Sequence, residues 1–215
     1  MLNASQVPTL VNTDHKLLNH AVAFSKKYFC GQISISEVKV ELKNQIEKVL
    51  DNGIRISHID SHQHVHILPR IFQVVTELAE QYKIKYIRIP NEKFQAYMFS
   101  NLSLIPRVVQ LKAINYLCSN LNTISSKKND FFYGFYFGGQ LNKKNLIIIL
   151  KKLPQYGLGE LMCHPGNSAE AANLSKIDYR KENELAALTD EEVKAVIVSK
   201  QIRLTSFKEM ADVHE

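Results

Sequence analysis

The chain has 215 residues, of which 45% are hydrophobic and 22% are charged, and its formal net charge at pH 7 is +6. These values are ordinary for a single globular domain, which we expect to span residues 1–215. The lysines are spread along the chain without interleaved aromatic residues, so we expect no nucleic-acid partner. No apolar run reaches the roughly 20 residues of a membrane span, and three widely spaced cysteines favour a cytoplasmic location over a disulfide framework.

Helical and extended patterns alternate in the first half of the chain. Apolar residues at helical spacing predict helices, and short runs rich in isoleucine predict strands. In chain order we expect a helix over Val38 to Leu50 that ends at Asn52-Gly53, a strand over Ile54 to Ile59, a helix that begins at Pro69, and a strand over Ile84 to Ile89.

The same alternation continues in the second half. In chain order we expect a helix over Leu102 to Leu121, an extended aromatic stretch over Phe131 to Phe137, a helix over Asn145 to Leu153, a strand over Glu160 to Met162, a helix after the capping box at Thr189, and a strand over Ile202 to Thr205. Strands that are separated by helices predict an α/β fold with a parallel sheet, either open or closed into a barrel.

Ionisable side chains recur at every second position from His58 to His66. Four of the eight histidines of the chain lie in this segment, together with Asp60. If the backbone is extended, alternate side chains share one face, so that imidazoles and a carboxylate would lie together. Such a face costs free energy unless a metal ion, a substrate or water binds its polar groups. The alternative interpretation is a polar rim at a strand end without any metal.

Strand geometry limits how these histidines could share a metal ion. Two positions along a strand span about 6.6 Å and four positions about 13 Å, whereas a metal–imidazole bond is about 2.0–2.1 Å. His62 and His64 could therefore share one ion, but His62 and His66 could not unless the chain turns between them. We expect one or two histidines to bind the ion and the others, such as His66, to orient them or to bind substrate.

Two further residues lie where predicted strands end. His164 stands in the sequence Cys163-His164-Pro165-Gly166 and suits general acid or base catalysis, although a histidine that merely faces water is the alternative. Arg88 follows an apolar strand and needs a partner, either a catalytic carboxylate or a structural ion pair. Because active sites of parallel α/β folds lie at the carboxyl ends of strands, we expect Asp60, Arg88 and His164 to converge.

The order of these motifs resembles the YdjC-like carbohydrate deacetylases, which include chito-oligosaccharide deacetylases and hopanoid-biosynthesis-associated members. The resemblance rests on the segment His58 to Pro69, on Arg88-Ile89-Pro90-Asn91-Glu92, on Cys163-His164-Pro165-Gly166, and on the C-terminal region from Tyr179-Arg180 to Phe207. It implies a distorted (β/α) barrel of the glycoside hydrolase/deacetylase type, which removes N-acetyl groups from amino sugars with one divalent metal ion, Mg²⁺ rather than Zn²⁺.

The resemblance also implies roles for individual residues. His62 would be a metal ligand, and His164 would be the acid near the leaving amine. Arg88 would orient the site, while Asp60, His64 and His66 would support it or bind the N-acetylated sugar.

The start of the chain departs from the family pattern. Met1-Leu2-Asn3-Ala4-Ser5 resembles the family's His-Leu-Asn-Leu-Thr stretch, with Met1 where the histidine belongs. The family's Asp-Asp pair and the strand that carries it have no counterpart here. We therefore expect an N-terminally truncated member that lacks its N-terminal strands and is inactive alone. Its expected protein partner is a missing N-terminal half or a second copy in a homodimer.

Two other functions stay open at this point. The missing ligands favour a non-catalytic or partner-completed sugar-binding subunit. The His-x-His motif is also found in metallohydrolases of the phosphoesterase or amidohydrolase kind, although there it usually lies on the first strand.

Overall fold

The chain folds as two compact units. The computed structural model describes residues 2–99, 104–119, 121, 128–167 and 180–212. Unit 1 takes in residues 1–89, 116–128 and 206–215, and unit 2 takes in residues 90–115 and 129–205. The expectation of one domain over residues 1–215 stays a prediction.

Unit 1 combines helices with a short parallel strand pair. Its elements are α1 (Ala21–Phe29), α2 (Ile35–Asp51), β1 (His58–Ile59), α3 (Pro69–Gln81), β2 (Tyr86–Ile87) and α8 (Phe207–Asp212). In the strand pair, His58 is in register with Tyr86 and Ile59 with Ile87. The side chain of Ser34 caps the start of α2 by accepting the N–H of Glu37, and Pro69 opens α3.

The core of unit 1 lies mainly on one face of α3. This face presents apolar side chains at helical spacing, and all of them are buried: Ile71, Phe72, Val74, Val75, Leu78 and Ala79. Helix α3 packs against α2 and against the segment that precedes it. The segment that carries the histidines is thereby held against the core by the helix that follows it.

Unit 2 repeats the pattern of a parallel strand pair between helices. Its elements are most of α4 (Ile105–Ser119), then β3 (Phe131–Tyr133), α5 (Lys143–Lys152), β4 (Gly159–Leu161), α6 (Lys181–Thr189) and α7 (Glu191–Ser199). Strands β3 and β4 are parallel, with Phe132 in register with Glu160. Met98, Leu111, Tyr136, Leu146 and Ile149 are among the buried side chains of its core.

The α/β class with parallel strands is confirmed, whereas the barrel stays a prediction. The helix that ends at Asn52-Gly53 and the helix that begins at Pro69 are confirmed, and the helix predicted over Asn145 to Leu153 is α5 (Lys143–Lys152). Helix α7 begins one residue later than the capping box suggests, with Asp190 as its N-cap. Helix α4 begins at Ile105; Leu102, the start of the predicted helix, lies outside the described residues, as do Met1 and Tyr179.

Four predicted strands are wrong in part or in whole. The strand over Ile54 to Ile59 is limited to its last two residues. The strand over Ile84 to Ile89 is limited to Tyr86 and Ile87. The extended stretch over Phe131 to Phe137 stops at Tyr133, because Gly134 takes a φ of 103° and starts a turn. Residues 202–205 have no regular secondary structure. None of the described helices is both long enough and apolar enough to cross a membrane.

Candidate functional site

The histidine segment of unit 1 is not extended, so the expected shared face is wrong. Strand β1 ends at Ile59, and residues His62–Ile67 form 3₁₀ turns around a kink at Gln63 (φ 55°) and His64 (φ 59°). Non-glycine residues adopt this left-handed backbone at a cost, and Gln63 offsets part of it by accepting the N–H of Ala21 at 2.7 Å. The kink leaves His62 exposed and buries His64 and His66.

His66 is fully engaged by its surroundings. Its ring Nδ1 lies 2.7 Å from Ser61 Oγ, and its Nε2 lies 2.8 Å from the carbonyl oxygen of Arg88. The carbonyl can only accept, so Nε2 carries the proton and the Ser61 hydroxyl donates to Nδ1. Burial lowers the pKa of His66 from its ordinary value, which favours this neutral ring. His66 therefore supports the segment and has no nitrogen left for a metal ion.

Asp60 and Arg88 form an ion pair between the ends of β1 and β2. The backbone places them there, because Arg88 N–H donates to the Ile59 carbonyl at 3.0 Å and so continues the parallel ladder. The guanidinium side chain is 18% exposed and the carboxylate 40% exposed. Arg88 thus finds the carboxylate partner that its apolar flanks required.

His58 and His64 complete the histidine cluster of unit 1. The ring of His58 stacks on Phe207 with centroids 4.2 Å apart, and burial lowers the pKa of His58. The ring of His64 is buried, with its centroid 6.4 Å from that of His66. His62 is the exposed imidazole of the group.

A cavity of about 370 Å³ lies beside this cluster within unit 1. Most of its lining is apolar and comes from α2, α3 and the segment before α1, with polar groups from Glu41, Gln45 and the stretch from His58 to Ser61. The buried carboxylate of Glu41 accepts the N–H of Leu2 at 3.0 Å. An apolar lining of this kind suits hydrocarbon better than the hydroxyl groups of a sugar.

His164 lies in unit 2, on the loop that follows β4. Its backbone N–H donates to Glu184, a residue of α6, through a short hydrogen bond to Oε2. The same oxygen lies 3.9 Å from His164 Nδ1, and the side chain of His164 is 32% exposed. A half-exposed imidazole beside a fixed carboxylate is suited to proton transfer.

A second buried carboxylate, that of Glu92, organises the loop after β3. It accepts the N–H of Tyr136 at 2.9 Å and that of Gly134 at 3.3 Å. Burial raises the pKa of Glu92 to about 7, although these backbone donors act in the opposite direction. Gly134 is required here, because a Cβ would lie 2.2 Å from the carbonyl oxygen of Met162.

Comparison with known proteins decides the family. A family model described as YdjC-like protein matches residues 1–199. The chain belongs to the YdjC-like protein family. It is 31% identical over 180 residues to a carbohydrate deacetylase of Clostridium beijerinckii, an alignment that covers 82% of this chain and 62% of that protein.

Other relatives carry related names. A carbohydrate deacetylase of Brevibacillus brevis is 28% identical over 176 residues, covering 81% of this chain and 61% of the relative. A chitooligosaccharide deacetylase of Yersinia pestis is 27% identical over 180 residues, covering 82% and 62%. The chain thus spans about three fifths of the length of the curated relatives that it matches.

The metal site expected from the YdjC-like resemblance does not fit the residues at hand. In unit 1 the carboxylate of Asp60 is paired with Arg88, and both ring nitrogens of His66 are engaged. Across the part of the chain that the structure describes, no group of three or more histidine, cysteine, aspartate or glutamate side chains could hold a metal ion. Catalytic sites typically use about three protein ligands, so His62 does not make a site alone.

The structure brings some predicted site residues together and adds others. Asp60, Arg88 and His66 meet in unit 1, whereas the convergence of these residues with His164 stays a prediction. Glu184 and Glu92 were not predicted, because a glutamate in a helix or loop is usually exposed. One signal was available for Glu184, since it lies three residues before the buried Ala187 on the same helical face.

Proposed function

We propose that this protein hydrolyses the N-acetyl amide of amino sugars or chito-oligosaccharides. The observation that carries the proposal is the placement of His164 at the end of β4 beside the buried carboxylate of Glu184. Family membership and the names of the relatives support the same reaction. Those names give no support to a phosphoesterase.

The reaction adds water across the amide C–N bond and releases acetate and an amine. The amine leaves readily when its nitrogen receives a proton as the bond breaks. His164 is the donor that we assign, because its side chain is 32% exposed and its Nδ1 lies 3.9 Å from the buried carboxylate of Glu184. The neutral imidazole then regains a proton from water before the next cycle.

Arg88 serves the site by holding Asp60. Its guanidinium fixes the carboxylate at the end of β1, next to the turn that presents His62. His66 braces the same turn through Ser61. We assign Arg88 and His66 to orientation of the site, and Asp60 and His64 to its support or to sugar contacts.

The cofactor, the complete fold and the location are further parts of the proposal. One divalent ion, Mg²⁺ rather than Zn²⁺, would polarise the amide carbonyl if bound, and His62 is the residue that we propose as one of its ligands. The described residues supply too few ligands to hold the ion by themselves. The parallel pairs β1–β2 and β3–β4 support a distorted (β/α) barrel, and three cysteines that lie far apart along the chain support a cytoplasmic location.

Acetate release from N-acetylated chito-oligosaccharides tests the proposal. The assay would compare the chain alone with a chimera that carries the remaining part of the Clostridium beijerinckii relative, each with Mg²⁺ or Zn²⁺. We expect turnover in the chimera and its loss by a factor of about 100 or more in H164A. A folded, metal-binding chimera that releases no acetate would overturn the proposal.

Metal titration tests the assignment of His62 separately. We expect H62A to bind Mg²⁺ or Zn²⁺ at least about tenfold more weakly than the parent in the chimera, because one of about three ligands is lost. H15A removes an exposed histidine from outside the cluster and serves as the matched control. Equal affinity in H62A and the parent would exclude His62 as a ligand.

A sugar-binding or partner-completed subunit is the second candidate. The observation that favours it is the lack of a three-ligand group among the residues that the structure describes. Calorimetric titration with N-acetylated chito-oligosaccharides distinguishes the two functions. Binding by the chain without turnover, with or without added metal, would favour the subunit.

A further inference from the structure

Glu184 is the most buried charged side chain next to a proposed site residue in unit 2. It is 1% exposed, and its two carboxylate oxygens accept two backbone N–H groups. Oε1 accepts the N–H of Leu141 at 2.9 Å, and Oε2 accepts the N–H of His164. A buried carboxylate is costly, so this one is retained with donors that fix its position.

The oxygen that binds the His164 backbone also faces its ring. Oε2 lies 3.9 Å from Nδ1, an ion-pair distance once the imidazole is protonated. The ring is 32% exposed, which leaves part of it open to a substrate. A negative charge at this distance stabilises the imidazolium relative to the neutral ring.

Two backbone hydrogen bonds hold the start of α6 against the loops that Glu184 joins. The N–H of Gly166 donates to the Lys181 carbonyl at 3.3 Å, and the N–H of Arg180 donates to the Gly139 carbonyl at 3.0 Å. Pro165 further restricts the backbone between His164 and Gly166. The backbone that carries His164 and the start of α6 are therefore held together, which keeps the carboxylate of Glu184 beside the imidazole.

We infer that Glu184 is the positioning residue for His164. Its carboxylate orients the imidazole and favours the protonated ring, which is the form that gives a proton to the leaving amine. The acid role of His164 rests on the proposed function, whereas the effect of Glu184 on the ring does not.

NMR titration of the imidazole nitrogens tests the inference without any need for turnover. We expect the midpoint of the His164 titration in the chain to fall by about one pH unit in E184Q, because the ring loses a neighbouring negative charge. H164A identifies the signal. E92Q is the matched control, since it neutralises another buried glutamate of unit 2 that accepts backbone N–H groups.

The outcomes separate a positioning role from a merely structural one. A folded E184Q whose His164 midpoint equals that of the parent, or falls no more than in E92Q, would overturn the inference. If E184Q fails to fold, E184D replaces it in the test. Aspartate keeps the negative charge, but its shorter side chain places the carboxylate farther from the imidazole. The midpoint in E184D must then lie below that of the parent, and a midpoint at or above the parent's would overturn the inference.

Kinetics of the chimera adds a second readout. E184Q should lower kcat by about 10- to 100-fold with little change in KM, and it should cause no further loss in an H164A background. An equal loss in both backgrounds would show that Glu184 does not act through His164. If every variant is inactive, the proposed function fails, while the titration still decides the role of Glu184.

Discussion

Loops in the two units are held by buried titratable groups of different kinds. Unit 1 buries the imidazole of His66, which a hydroxyl and a carbonyl hold in its neutral form. Unit 2 buries the carboxylates of Glu92 and Glu184, which backbone N–H groups hold. In each unit, the buried group fixes a loop that follows a parallel strand.

This difference predicts that the stabilities of the two units respond to pH in opposite directions. Burial lowers the pKa of His66 in the folded protein. The stability that the neutral ring contributes to unit 1 is therefore fully present above about pH 6.5, and it is lost as the pH falls through the folded pKa. Burial raises the pKa of Glu92 to about 7. The stability that the protonated side chain contributes to unit 2 is therefore fully present below about pH 4.5, and it is lost as the pH rises through 7. Through His66, acid therefore weakens unit 1, and through Glu92, neutral or alkaline pH weakens unit 2.

The largest expected effect comes from removing the buried imidazole. H66A should lower the free energy of unfolding of unit 1 by about 3–4 kcal/mol, because it opens a cavity and leaves Ser61 and the Arg88 carbonyl without their shared partner. Urea denaturation followed by NMR signals of unit 1 measures the loss. His62, an exposed histidine of the same segment, provides the control. H62A should change the free energy of unfolding of unit 1 by no more than about 0.5 kcal/mol. Equal losses in H66A and H62A would contradict the prediction that the buried imidazole stabilises unit 1 more than an exposed one.

A smaller effect concerns the pH dependence of unit 2. Between pH 4.5 and 8 the free energy of unfolding of unit 2 should fall by about 2–3 kcal/mol from Glu92 alone. E92Q has no ionisable group at this position. Its free energy of unfolding should therefore lack the decrease that Glu92 causes between pH 4.5 and 8, while the pH dependence from other groups remains. The measurement is urea denaturation of the parent and E92Q across this range. Parallel curves would show that the Glu92 pKa is not raised.

The smallest effect concerns the half-exposed ion pair of unit 1. D60N should change the free energy of unfolding by no more than about 1 kcal/mol, because solvent screens the pair. It should also lower the pKa of His58 further, since the Asp60 carboxylate raises that pKa against the effect of burial. NMR titration of the His58 ring detects the shift. A rise in this pKa would mean that Asp60 does not act on His58 as the geometry indicates.

The helices were predictable and the site geometry was not. Helices α2 and α3 carry apolar residues at a period that burial on one face imposes, and Ser34, Gly53 and Pro69 mark their ends. The sequence of the histidine segment has the period of two that is typical of a strand. The course of its backbone, however, is set by the left-handed conformation of Gln63 and His64. That conformation is stabilised by contacts with α1 and with the core, which local sequence does not reveal.

Whether the partner of a predicted site residue could be foreseen depended on whether that partner also lies at the end of a predicted strand. The need of Arg88 for a carboxylate was evident from its apolar flanks, and Asp60 lies in the neighbouring strand end. The pairing of His164 with Glu184 joins residues 20 positions apart through a loop and a helix start. No periodic pattern encodes such a pairing, so the role of Glu184 could not be predicted from the sequence.

The hydrogen bond from His66 to the Arg88 carbonyl gives the molecule a built-in spectroscopic probe. Its Nε2 proton is 2.8 Å from an acceptor and the residue is 2% exposed, so exchange with water requires that the region open. Such a ring proton should persist as a separate downfield signal while β1 and β2 stay paired. Its disappearance would report the first opening of this region in intact protein, without a label or a substrate.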